Sequence, residues 1–124
     1  MILKVTAAYL ALLMFACQPA QSNPPPPGTQ DYDLLHPFAG WISTVTNKAN
    51  EKCCDIGDGT VVLQRDGPDG IEIRFLAFDR FPTAPRGWVK VPPEAVVYER
   101  NMASVSIAWW YGEKVRCFLG VNRT

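Results

Sequence analysis

Four consecutive prolines, Pro24 to Pro27, followed by Gly28, divide this 124-residue chain into two parts that cannot share one regular element. Proline lacks a backbone N–H and has a fixed φ, so such a run forms an extended, semi-rigid spacer that neither helix nor sheet passes through. Residues 23–30 are therefore read as a linker, and residues 31–124 as a single small domain.

What precedes the prolines reads as an export signal over residues 1–22. Lys4 supplies a thin positive start, and an uncharged, largely apolar run extends from Val5 to Cys17. That run is shorter than the roughly 20 apolar residues a membrane-spanning helix requires. Two cleavage readings stay open. In one, Ala16-Cys17 is a loose lipoprotein signal, with Cys17 lipidated as the new N-terminus. In the other, Ala20-Gln21-Ser22 is a small-x-small site and the mature chain starts at Asn23. The expected location is the periplasm or cell envelope, as an outer-membrane lipoprotein in the first case; plain secretion is the alternative. Any membrane attachment runs through the N-terminal lipid alone.

The remaining 94 residues carry 12 aromatic side chains, enough for one core but in a size range that favours covalent reinforcement. Leu34, Leu35, Phe38, Ile42, Val45 and Ala49 form one stripe at the helical period, with Pro37 in the first turn and Lys48 and Lys52 near the C-terminal end. After Gly59 the period falls to two. Thr60 to Gln64 and Ile71 to Phe78 predict a hairpin with a long loop over Asp66 to Gly70, and Trp88 to Val91 a short strand stopped by Pro92-Pro93 and resumed at Val96 to Tyr98. Ser104 to Tyr111 and Lys114 to Leu119 predict a second hairpin closed by Gly112-Glu113. Unbroken pairing from that turn sets Ala108 opposite Cys117 and Trp109 opposite Arg116. The expected fold is α+β: one N-terminal helix packed on a small, antiparallel, partly curled β-sheet and stapled to it by a disulfide.

Cysteine usage defines the staple. In an exported domain Cys53, Cys54 and Cys117 are disulfide candidates, and a bridge between adjacent cysteines strains the peptide between them. A helix ending near Lys52 presents this pair to the face assigned to Cys117. Cys54 is the favoured partner because it lies just past the helix, with Cys53 as the alternative and the unpaired thiol left buried.

Charge and motif content exclude several functions. Lys and Arg balance Asp and Glu at 12 each, and the one histidine is His36, so no positive excess marks a nucleic-acid surface. Asp55-Ile56-Gly57-Asp58-Gly59 lacks the ligand spacing of a calcium loop, and three cysteines with one distant histidine lack that of zinc, so neither metal nor cofactor is expected. Asp66, Asp69, Glu72, Asp79, Glu94, Glu99 and Glu113 fall in turns or on exposed strand faces and form no recognisable catalytic pair. No catalytic residue is assigned. Trp109, Arg116 and Phe118 stand out as a contact patch, with the guanidinium over the indole. Asn122-Arg123-Thr124 matches a glycosylation sequon without further support.

Cys53-Cys54-Asp55, Asp58, Gly87-Trp88-Val89, Val91-Pro92, Val96 and Arg116-Cys117-Phe118 together resemble a group of small, exported, uncharacterised proteins of alphaproteobacteria and their phages. The likeness covers about the last 70 residues. Relatives often carry further cysteines where this chain has Gly59 and a position near Ala108, so no complete bridge pattern carries over. The resemblance implies export and a stapled domain, and names no activity. The functional expectation is a non-enzymatic binding or interaction module whose partner is an envelope protein or glycan. The alternatives are a small envelope-polymer hydrolase or a secreted inhibitor of a hydrolase.

Overall fold

The computed structural model describes residues 24–54 and 56–121. The stretch read as linker takes part in the structure: Pro25 is buried, and Thr29 caps the first helix by accepting the Tyr32 N–H on its hydroxyl at 3.3 Å. Helix α1 (Gln30–Leu35) carries Asp31 and Asp33 in its first turn, where the helix dipole favours negative charge. A 3₁₀ turn (His36–Phe38) and a second short helix, α2 (Ala39–Ile42), complete the helical segment.

The helix lies at residues 30–42 and not over the stripe running to Lys52. Pro37 falls within the run and interrupts it, since it has no N–H to offer. After Ile42 the Ser43 and Thr44 hydroxyls fold back onto the carbonyls of Gly40 and Trp41, both at 2.7 Å, competing with continuation of the helix. Residues 44–53 then form a loop closed by the Thr46–Lys52 bridge. Asn47 holds it: its side chain accepts from the Glu51 N–H at 2.9 Å and donates to the Arg116 carbonyl at 2.7 Å. Val45 is buried as the periodicity requires, yet it arrives there from a loop.

Five antiparallel strands follow: β1 (Gly59–Gly67), β2 (Gly70–Phe75), β3 (Val89–Lys90), β4 (Ile107–Trp110) and β5 (Val115–Leu119), in the order β3-β2-β1-β4-β5. The β1–β2 connection is tighter than expected. Gly67 pairs with Gly70 around Pro68-Asp69, and Gly70 takes a φ of 131° that L side chains rarely adopt. β1 serves two partners in turn, β4 through Gly59–Val61 and β2 through Val62–Gly67.

The sheet must curl. β3 ends at one edge with Lys90, and six residues later Val96 bridges Phe118 of β5 at the other edge. With a 3₁₀ turn at Pro93–Ala95, that connection reaches roughly 16 Å, at about 2 Å per 3₁₀ residue and about 3.3 Å per extended one. In a flat sheet the two positions would stand roughly 24 Å apart, five spacings of about 4.8 Å. Closing the gap gives the circular order β1-β2-β3-β5-β4, the connectivity of a partly open, five-stranded Greek-key barrel.

Curling creates two cores. Inside it, Val62, Ile73, Phe75, Ala108, Val115 and Phe118 meet Phe81 and Ala84 from the β2–β3 loop. Outside, the helical segment lays Leu35 and Ile42 over Val61, Ile107, Trp109, Cys117 and Leu119. Both faces of β4 and β5 are thus apolar because both are covered. Gly59 keeps the outer layer close: a Cβ there would stand 3.1 Å from Trp109 Nε1 and 3.3 Å from Cε2. Trp109 is fully buried and cannot step aside, so Gly59→Ala should lower the unfolding free energy by about 1–3 kcal/mol, read as a fall in the urea midpoint.

Candidate functional site

The β4–β5 hairpin disperses the patch read from the sequence. Its turn is the expected one: Gly112 has a φ of 78°, and the Tyr111 N–H donates to the Lys114 carbonyl at 3.1 Å. Trp110 still faces Val115, but a bulge then shifts the register, so Trp109 pairs with Cys117 and Ala108 with Phe118. Arg116 is the extra residue. Its Nε donates to the Lys52 carbonyl at 2.8 Å, and its guanidinium lies over Tyr111, 4.6 Å from the ring centroid, not over Trp109. Trp109 and Phe118 are core residues in different layers, so Trp109, Arg116 and Phe118 present no common surface.

The same bulge decides the disulfide. By placing Cys117 beside Trp109 on the helix-covered face, it directs the thiol toward the 44–53 loop, and the bond forms with Cys53 and not with Cys54. Cys53 is fully buried, its N–H donating to the Val45 carbonyl at 3.1 Å, and it is not the spare thiol expected of it. Cys54 takes a left-handed φ of 74°, and its Sγ lies 2.7 Å from the Tyr111 hydroxyl. No described cysteine is a free thiol. Cys17, the candidate lipidation site, lies outside the described residues, as do Asp55 and the Asn122-Arg123-Thr124 sequon.

A polar centre that sequence reading missed joins the helix to the barrel. Asp31, buried at the start of α1, accepts from the Thr60 hydroxyl at 2.7 Å, the Val61 N–H at 2.9 Å and Arg80 Nη1. Arg80 also donates to the carbonyls of Gly59 and Ile56 at 3.1 Å and of Gly57 at 2.9 Å. Every described polar atom here has a partner, which makes this a structural clamp. Nothing local distinguishes Asp31 and Arg80, 49 residues apart, from ordinary surface charges.

The most distinctive open surface is the outer face of β1–β2–β3, beyond the edge of the helical layer. Strand registry places Arg65, Glu72 and Lys90 side by side across it, with Leu63 opposite Arg74 in the adjacent row. Arg65 Nε donates to Glu72 at 2.8 Å, and its guanidinium stacks over Trp88, 4.2 Å from the ring centroid. Leu63 and Leu76 are 46% and 42% exposed. Arg65 is therefore fixed in place while its terminal nitrogens remain available, and Arg74 and Lys90 form no ion pair among the described residues. Of the seven acidic residues considered earlier, Glu72 is the one engaged in an ion pair among the described residues, and it serves to orient Arg65. No three His, Cys, Asp or Glu side chains among the described residues gather to hold a metal. No protein-family model, curated protein or solved structure matches the chain.

Proposed function

We propose that this protein is an exported, non-enzymatic binding module of the bacterial envelope, working through the outer face of β1–β2–β3. The observation that carries the reading is the ordered Arg65–Trp88 stack, set among exposed leucines and cations on a rigid sheet outside the helical layer. Binding needs groups already held in place, and a guanidinium pinned by a carboxylate and an indole meets that need. Export is supported by the Cys53–Cys117 bond, because disulfides persist in oxidising compartments. The likeness to small exported alphaproteobacterial and phage proteins belongs to the same reading, as does the choice between a lipidated Cys17 and a mature start at Asn23.

Sequencing the mature N-terminus and fractionating cells test the export half. The expected result is envelope-associated protein with Cys53 and Cys117 oxidised, and Cys17→Ala releases it if Cys17 is the anchor. Cytosolic protein with a reduced Cys117 overturns the reading. The binding half is tested by adding purified Cys17→Ala protein to isolated envelopes: Trp88→Ala and Arg65→Ala in that background should abolish its co-sedimentation, while Glu99→Ala leaves it intact. Cleavage of an envelope polymer, lost on replacing one or two carboxylates, would replace binding with hydrolysis.

A further inference from the structure

The residue pairing on the outer face of β1–β2–β3 narrows what it binds. Each strand brings one cation and, within it or immediately flanking it, one apolar side chain: Arg65 with Leu63 in β1, Arg74 of β2 with Leu76 just past its end, and Lys90 of β3 with Trp88 just before its start. In β1 the two are spaced i, i+2 within the strand and so share a face; Leu76 and Trp88 keep the same spacing from Arg74 and Lys90 immediately outside β2 and β3. The acid within the patch, Glu72, is engaged by Arg65. Asp66 pairs with Ile71, whose side chain belongs to the interior cluster, so it is turned to the opposite face. Asp69 sits in the hairpin turn at the end of the patch. A chain with no net charge thus gathers three cations against one paired carboxylate on one sheet face.

We propose that this face docks on an anionic bilayer surface, with Arg74 and Lys90 among the lipid phosphates and Leu63 and Leu76 entering the headgroup layer. The proposal rests on the binding-module reading and goes beyond an attachment made only through the N-terminus. An acidic polysaccharide would satisfy the cations equally well but offers nothing to two exposed leucines. A layer combining phosphate charge with an apolar boundary matches both halves of the pattern.

The test uses the exported protein as the cell processes it, sedimented with phosphatidylcholine vesicles and with vesicles containing phosphatidylglycerol. The ratio of the two affinities cancels any contribution from an N-terminal lipid. The expected ratio strongly favours the anionic vesicles. Arg74→Gln with Lys90→Gln should lower it by roughly 30-fold, since each cation near an anionic surface is worth about a factor of five. Leu63→Asn with Leu76→Asn should weaken anionic-vesicle binding severalfold, an effect electrostatics alone would not produce. Arg100→Gln with Lys114→Gln changes net charge equally at exposed sites outside the patch and should have little effect. Thermal melting and non-reducing peptide mapping establish that each variant retains the fold. A ratio near one, equal losses from the control pair, or indifference to the leucine changes overturns the proposal. If soluble polygalacturonate then binds in an Arg74- and Lys90-dependent way, the binding module stands and its ligand is a glycan. If envelope co-sedimentation also survives Trp88→Ala and Arg65→Ala, the module reading fails with it.

Discussion

Cys117→Ser should lower the unfolding free energy by about 4 kcal/mol, measured by urea unfolding of oxidised protein. The bond links residues 64 apart, and in the chain-entropy description a loop of that length restricts the unfolded chain by about this amount. Cys53→Ser should cost nearly the same because it opens the same loop. Non-reducing peptide mapping should recover Cys53 joined to Cys117, and a Cys54–Cys117 peptide would contradict the packing of loop and hairpin described above. The effect exceeds that of an ordinary staple in one respect. Together with the Asn47 and Lys52 contacts to Arg116, this bond ties the 44–53 loop to β5, so its removal should also loosen the Val45 side of the outer core. Faster amide exchange at Cys53, whose N–H bonds to the Val45 carbonyl, would report that loosening.

Arg80→Met should destabilise the protein by about 3–5 kcal/mol, the usual cost of removing one partner from a buried ion pair. The guanidinium satisfies three carbonyls of the 56–59 turn besides Asp31, and methionine leaves all of them without it. Arg80→Lys should not restore stability, since a single ammonium cannot reproduce the planar fork. Asp31→Asn should cost a comparable amount by leaving Arg80 as an uncompensated buried charge. The double variant Asp31→Asn, Arg80→Met should lose clearly less than the sum of the single losses. Additive losses in that cycle would show that the two side chains act independently and that the clamp is not a unit.

Much of the architecture was legible in the chain because it depends on neighbours in sequence. Alternation located the strands, glycine and proline located the turns, and Gly112-Glu113 closes the last hairpin as read. The stripe Leu34 to Ala49 has helical spacing, and its members Leu35, Ile42 and Val45 are all buried, but Pro37 and the Ser43 and Thr44 hydroxyls divert the backbone before the stripe ends. Burial at a helical period shows that residues reach one core, not that a helix carries them there.

The sequence by itself determined that the chain folds as an α+β domain with antiparallel strand pairing, and that Cys117 is bridged to the Cys53-Cys54 pair. Tertiary structure decided which cysteine. A one-residue bulge at Arg116 reverses the face of everything beyond it in β5, and that bulge is held by contacts to Asn47 and Lys52 that lie more than 60 residues away. It also decided which charges are structural and which are available. Asp31 and Arg80 are consumed in the interior, while Arg74 and Lys90 stand open. Arg80 and Arg74 have the same side-chain chemistry, and only the curl of the sheet and the edge of the helical layer determine which of them water can reach.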